Sequence, residues 1–520
     1  MPHALLDEII LGDQPLTIDE VVAVARHDAQ IAISDAALGR VRAARQVIVD
    51  LAEDTIPHYG VSTGFGALAT VHIPQEMRAQ LQRSLIRSHA AGSGPEVERE
   101  VIRALMLLRI QTLATGHTGV RPETLATYLQ MLNAGITPVV HEYGSLGCSG
   151  DLAPLAHCAL ALMGEGQVRT RDGDLQDTAD AFTAEGITPV ELVEKEGLAL
   201  INGTDGMLGM LCLAIHDITR LLTIADLAGA MSVEGLLGTD AAYAPDLMAL
   251  RPHPGQATSA ANMTAVLTNS PIRQSHQDPT ACTRVQDAYS LRCAPQVTGA
   301  GRDTLDHTRL VADRELASAI DNPVVTTDAR VESNGNFHGV PVAYALDFLA
   351  IVLADLASLS ERRTDRFQDV ARNHGLPAFL TDDAGVDSGH MIAQYTAAGI
   401  VSEMKRLAAP ASADSIPSSA MQEDHVSMGW AAGRKLRRAV DGLARVLAIE
   451  VLTAARGIEL RAPLQPGPAS KAAIDLLHAE GWQGPGPDRW LAPEIEIAFQ
   501  AIIDGRLLEA VNAALPEPLQ

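Results

Sequence analysis

Three stretches of this chain, Val340 to Thr364, His390 to Ala408 and Gly429 to Gly457, carry apolar side chains at helical spacing, with few strand signals near them. Runs of about 20 residues with that period bury their apolar stripe best against one another, which predicts a mainly α architecture built on a long central helical bundle. Shorter helical runs precede them at Asp35 to Asp54, Gln75 to Arg87, Glu96 to Thr115, Pro122 to Ala134 and Leu152 to Met163. Thr17, followed three positions later by Glu20, reads as a capping box at the start of an early helix. With 520 residues and 47% apolar content, the chain can bury one very large core or two to three domains. The expected division is a smaller N-terminal domain over residues 1–115 and an elongated helical-bundle domain over residues 116–520. The final segment, Ala462 to Gln520, holds two of the three tryptophans and reads as packing or interface material.

The formal charge of −25 argues against a nucleic-acid partner, because such proteins gather Lys and Arg into basic faces and no basic run occurs here. Five cysteines, Cys148, Cys158, Cys212, Cys282 and Cys293, form an odd set without a CxxC pair, as expected of reduced thiols in a cytoplasmic protein. The opening MPHALLDEIILGDQPL lacks the cationic and then apolar pattern of a secretory signal. The most apolar region, Gly197 to Thr239, is interrupted by Asn202, Asp205, Asp217, Arg220, Asp226 and Glu234. It falls short of the ~20 uninterrupted apolar residues of a membrane helix, so no membrane partner is expected.

The stretch Gly144-Ser145-Leu146-Gly147-Cys148-Ser149-Gly150-Asp151-Leu152-Ala153-Pro154-Leu155 sets a glycine at every third position around a Cys-Ser-Gly triplet and then runs into an apolar helical segment. A glycine-rich turn capping an ordinary helix is one reading. The other is chemical. Without a Cβ at Gly150, backbone can approach backbone, and its amide nitrogen can attack the carbonyl carbon of Cys148. Loss of two waters, one carrying away the Ser149 hydroxyl, leaves an exocyclic methylidene. Ser149 or Asp151 can cap the following helix and Pro154 suits its first turn. The triplet then sits at a helix N-terminus, where unsatisfied N–H groups favour developing negative charge. His141, Cys148, His157 and Cys158 match none of the usual zinc spacings, so no metal is expected.

Other punctuated segments carry further candidates. Tyr59-Gly60-Val61-Ser62-Thr63-Gly64-Phe65-Gly66 is a shaped loop without the Lys and preceding buried strand of a phosphate-binding loop. Ser88-His89-Ala90-Ala91-Gly92 stops a helix at a histidine, and Leu200-Ile201-Asn202-Gly203-Thr204-Asp205 opens the long apolar region. Gln286, Tyr289 and Arg292 fall at i, i+3 and i+6, so on a helix they would share roughly one face. Arg292 suits bidentate binding of a carboxylate, and Tyr289, with its pKa lowered by nearby positive charge, could serve as a base.

In this order, these strings resemble the histidine and aromatic amino acid ammonia-lyases, which carry a 4-methylidene-imidazol-5-one (MIO) prosthetic group made from such a triplet. The resemblance covers nearly the whole chain, in at least six motifs. It implies a fumarase/aspartase-like architecture and an MIO formed from Cys148, Ser149 and Gly150, with no metal or dissociable cofactor. It also implies a homotetramer with shared active sites, in which Phe337 and Glu423 can face another subunit's Ser149. By resemblance, Tyr59 and Tyr289 are catalytic beside Ser149, while His89, Asn202, Gln286, Arg292, Phe337 and Glu423 bind substrate. The string Gln422-Glu423-Asp424-His425-Val426-Ser427-Met428-Gly429 resembles the histidine-acting members in particular. Relatives acting on phenylalanine or tyrosine tend to lack this glutamate. The implied activity is conversion of L-histidine to trans-urocanate and ammonia, the first step of histidine degradation. Alternatives are a tyrosine or phenylalanine ammonia-lyase or aminomutase with the same group, or a catalytically silent homologue acting as a scaffold. Asp205 stands where many members carry an amide, and Met421 replaces a common asparagine.

Overall fold

Helix makes up 59% of the computed structural model, with little strand, and the residues described are 8–54, 58, 60–64, 71–277, 282 and 284–520. The chain divides into two compact units. The first comprises Met1–His216, Thr308–Asp347 and Pro410–Arg434, and the second Asp217–His307, Phe348–Ala409 and Lys435–Gln520. Residue 115, the boundary expected from the sequence, lies inside the first unit, which takes in the glycine loop as well.

The first unit begins with β1 (Glu8–Leu11), α1 (Ile18–His27) and β2 (Gln30–Ile33), the two strands pairing in parallel. Thr17 and Glu20 form the expected capping box at the start of α1. After α2 (Asp35–Ala52), α3 (Arg78–His89) ends at His89 and gives way to β3 (Ser93–Glu96). Next comes α4 (Arg99–Ala114), buried at every position from Val101 to Ala114, Arg103 and Arg109 included. A helix buried all round is a core helix, and its two arginines must find partners inside the protein. There follow α5 (Pro122–Asn133), β4 (Thr137–Pro138), β5 (His141–Tyr143) antiparallel to β3, α6 (Leu152–Leu162), β6 (Gln167–Arg169), β7 (Leu175–Asp177), α7 (Thr178–Glu185) and α8 (Glu196–Ile201). Helix α1 packs on α4, while α3, α6 and α8 pack on one another.

Long and short helices then alternate: α9 (Asp205–Gly235, 31 residues), α10 (Pro245–Ala249), α11 (Pro254–Leu267), α12 (Pro271–Gln274), α13 (Tyr289–Arg292) and α14 (Ala294–Leu316). A short hairpin, β8 (Val324–Val325) and β9 (Val331–Glu332), precedes α15 (Val340–Gln368, 29 residues), α16 (Met391–Leu407) and α17 (Gly429–Glu459, 31 residues). The chain closes with α18 (Pro468–Ala479), α19 (Ala492–Ile503) and α20 (Arg506–Ala513). In the second unit, buried polar groups fix how these helices pack. Glu450 of α17 accepts from Ser232 of α9 at 2.7 Å and from Arg363 Nη2 of α15 at 2.8 Å. Asp226 of α9 accepts from Arg302 at 2.7 Å and from Asn262 at 2.9 Å. Buried polar contacts of this kind hold one helix register against slippage.

Helices α9 and α15 are long and apolar enough to cross a membrane by length and composition, although the sequence reading held the α9 region too interrupted for that. The windows that meet this test tolerate a charge or two, and 78% and 61% of them are buried inside the protein, as befits core helices.

Candidate active site

The glycine loop lies in the first unit and is gripped on two sides. Ser149 and Gly150 take left-handed backbone conformations, with φ of +48° and +83°. The N–H of Gly203 donates to Ser149 O at 3.1 Å, and the N–H of Asp151 donates to Gly203 O at 2.7 Å, so Gly203 and Gly150 run as a short parallel bridge. A Cβ on Gly150 would lie 1.9 Å from Gly203 O, which makes glycine obligatory here. On the other side, Met428 N–H donates to Leu146 O at 3.1 Å. A left-handed turn at Ser149 and a glycine at 150 packed against Gly203 are compatible with a group made from this triplet, and the residues present fit it.

Helix α6 begins directly after the loop, as the sequence predicts, but neither Ser149 nor Asp151 caps it through its side chain. The wholly buried Asp151 carboxylate turns instead to the start of α9, accepting from Met207 N–H at 2.8 Å and from Ser145 Oγ at 3.1 Å. Burial, the largest influence, raises its pKa to about 7 against the lowering effect of these bonds. The neighbouring histidines serve structure. Gly92 N–H donates to His157 Nε2 at 3.0 Å, and burial lowers the His157 pKa to about 4. Among the described residues no group of three or more His, Cys, Asp or Glu side chains could hold a metal ion.

A cavity of about 470 Å³ opens beside the triplet, lined among others by Cys148, Ser149, Asn322, Phe337, His338, Glu423 and His425. Phe337 and Glu423 thus share a cavity with the Ser149 of their own chain, whereas the resemblance allowed them to face another subunit's. The turn before Glu423 explains its placement: Ser418 and Glu423 pair through their backbones, and Ser418 Oγ donates to Glu423 Oε2 at 2.8 Å. Glu423 also acts on His89, the last residue of α3, whose Nδ1–H donates to Leu85 O at 2.9 Å. Burial lowers the His89 pKa, opposed by the Leu85 bond and the Glu423 charge, so its neutral form is favoured. The Cys148 thiol is pushed up to about 12, first by burial and then by Glu423, and stays protonated. Asn202, which ends α8, donates from Nδ2 to Asn322 O at 2.8 Å.

Not every predicted residue joins this cavity. Tyr59 lies outside the described residues. Gln286, Tyr289 and Arg292 belong to the second unit, and the helix expected to align them covers only Tyr289–Arg292; Gln286 is exposed on the irregular chain before it. Asp287 breaks the pattern by turning inward to accept Thr239 N–H at 2.7 Å. Tyr289 is 72% exposed, with the Arg292 guanidinium 4.9 Å from its ring centroid. Met421 is 67% exposed, and Asp205 pairs with the buried Arg109. The sequence motifs assigned no role to Asn322, His338 or His425, of which only His425 lies in a string quoted above. The two histidine rings stack with centroids 5.6 Å apart, an arrangement with no local spacing signal because 87 residues separate them.

A family model described as aromatic amino acid lyase matches residues 16–479. A histidine ammonia-lyase of Streptomyces griseus is 64% identical over 506 residues, covering 97% of this chain and 98% of that protein. Among solved structures, histidine ammonia-lyase from Trypanosoma cruzi is similar with a TM-score of 0.89 and 39% identity, over 98% of this chain and 96% of that one. A tyrosine aminomutase from Streptomyces globisporus is similar with a TM-score of 0.92 and 36% identity, over 99% and 100% of the two chains. The architecture is the fumarase/aspartase-like fold of these lyases.

Proposed function

We infer that this chain, which belongs to the aromatic amino acid lyase family, removes ammonia from L-histidine without oxidation and releases trans-urocanate. The observation that carries the reading is the cavity where Glu423, pinned by Ser418, lies with Cys148 and Ser149 and acts on the half-buried His89. A carboxylate held in that position suits an imidazole N–H donor. Similarity to histidine ammonia-lyases over nearly the full length supports the same substrate.

The β-proton of histidine is weakly acidic and ammonia is a poor leaving group, so acid–base catalysis alone would be slow. An MIO formed from Cys148, Ser149 and Gly150 supplies the missing electrophile, an electron sink that improves the leaving group. The chain's own side chains do the rest. Arg292 holds the substrate carboxylate, Tyr289 takes the β-proton, and Tyr59 acts with it as a catalytic phenol. Glu423 and the neutral His89 orient the imidazole, while Asn202, Gln286 and Phe337 complete the binding surface. We further propose a cytoplasmic homotetramer with shared active sites, without nucleic-acid or membrane partners.

The test is to incubate the protein separately with histidine, tyrosine and phenylalanine and to follow the conjugated product in the ultraviolet. Histidine should turn over. Turnover of tyrosine or phenylalanine with none of histidine would overturn the reading in favour of an aromatic lyase or aminomutase, and no turnover of any would favour a silent scaffold.

A further inference from the structure

Behind the triplet lies a buried ion pair to which the reaction assigns no task. Arg109 of α4 is completely buried and pairs with Asp205, the first residue of α9, through Nη2 and through Nε at 3.1 Å. The same guanidinium donates from Nη1 to Asn202 O at 2.7 Å, to Ala199 O at 3.0 Å and to Ile320 O at 3.4 Å. Ala199 and Asn202 end α8, where a helix leaves its last carbonyls without partners of its own. One planar cation therefore ties the end of α8 to the beginning of α9. The link between them, Asn202-Gly203-Thr204, has little freedom left. A Cβ on Gly203 would lie 1.8 Å from Arg109 Nη2 and 2.3 Å from Asp205 Oδ2. Gly203 is also the residue whose N–H bonds Ser149 of the triplet and whose C=O bonds Asp151 directly after it.

We propose that Arg109 and Asp205 are a positioning pair for formation of the prosthetic group: by fixing Gly203, which bonds Ser149 and Asp151, they hold Ser149 and Gly150 in the left-handed turn from which the triplet cyclises. The inference rests on the MIO reading given above. The step it serves is balanced without an outside reagent. The Gly150 nitrogen forms a bond to the Cys148 carbonyl carbon; that carbonyl oxygen leaves as water with the protons of the Gly150 and Ser149 amides, and a carbon–nitrogen double bond remains. The Ser149 hydroxyl then leaves as a second water with the Cα proton. Nothing is oxidised or reduced. The Gly203 N–H on Ser149 O draws density from that carbonyl and makes the adjacent Cα–H easier to remove. A buried pair adds little net stability once its desolvation is counted, so geometry is the more consistent reason for its presence.

Intact-mass spectrometry of folded protein reads the fraction lighter by two waters. Wild type should carry the deficit throughout. Arg109→Gln, isolated as folded material by size exclusion and matched circular dichroism, should lose most of it, and Asp205→Asn should fall between. Arg103→Gln is the control: it removes another buried α4 arginine, one that instead donates to Val24 O and Leu132 O, each at 3.1 Å. It should keep the full deficit. A complete deficit in folded Arg109→Gln overturns the proposal, and so does an equal loss in Arg103→Gln, which would mark a general effect of destabilisation. If Arg109→Gln does not fold, Asp205→Asn decides on the same readout, a complete deficit again overturning the pairing. Absence of any deficit in wild type would instead overturn the MIO reading itself.

Discussion

In the first unit the glycine loop spends its hydrogen bonds inward. Ser149 and Asp151 are bonded to Gly203, and the Asp151 carboxylate accepts from Met207 N–H. The turn at Tyr289 in the second unit does the reverse. Its phenol is 72% exposed, Arg292 lies against the ring, and Arg292 Nε has no partner among the described residues. The two kinds of chemistry make different demands. In the proposed mechanism a group assembled from backbone must be aligned before any substrate arrives, and the bonds to Gly203 and Met207 that hold this loop come from the same chain. In the proposed mechanism Tyr289 takes a proton from the substrate, and its exposed phenol is free to meet a ligand.

Substitutions on the two sides should separate cleanly. On the inward side, Ser149→Ala should abolish the two-water deficit and cut turnover of histidine by more than about a thousandfold, since the electrophile is lost. A normal deficit in that variant would sever Ser149 from the group. On the outward side, Tyr289→Phe should leave the deficit whole while lowering kcat by ~10²–10⁴-fold, the usual range for a lost general base. If its mass deficit fell as well, the two regions would not be chemically independent. Glu423→Gln should keep the deficit and lower kcat/KM for histidine by about ten- to a hundredfold, the range of one hydrogen bond to a charged group. Equal loss with tyrosine or phenylalanine, measured in the same assay, would remove the specificity role. Cys148→Ala should change least, within about tenfold in kcat/KM and with the deficit intact, because only the carbonyl carbon of this residue enters the ring and its thiol stays protonated.

Much of this was legible along the chain. Helical periodicity located α15, α16 and α17 to within a few residues, and the glycine spacing singled out the loop that the structure finds locked. What escaped was decided by distant partners. Arg109 sits inside an apolar helical run, and only the fold brings it to Asp205, 96 positions away. Asp151 reads locally as a cap for α6, yet the start of α9 offers its carboxylate a buried N–H, and that contact prevails. The i, i+3, i+6 spacing of Gln286, Tyr289 and Arg292 suggested one helical face. The inward turn of Asp287 toward Thr239 holds the chain out of helix until Tyr289.

Asp151 also gives the inward side a pH dependence. Its pKa is 3.8 in an unstructured chain and about 7 here, so between those values the folded protein holds the proton that the unfolded chain has released. Stability from this residue therefore falls as pH rises through that window. The Tm of wild type relative to Asp151→Asn should decline from pH 4 to pH 7 by a few degrees, and a pH-independent difference would show the carboxylate to be ionised in both states.

Helices α9 and α15 carry a further consequence. Over their most apolar windows they reach mean hydropathies of 1.5 and 1.9, values a lipid bilayer would accept, and folding hides most of each window from water. Heating past the transition releases both segments together, and exposed stretches of that kind meet other chains faster than they find their own neighbours. Denaturation should then run one way, with an apparent midpoint that moves with the heating rate. The durability of this protein is accordingly set by how slowly its long helices first part.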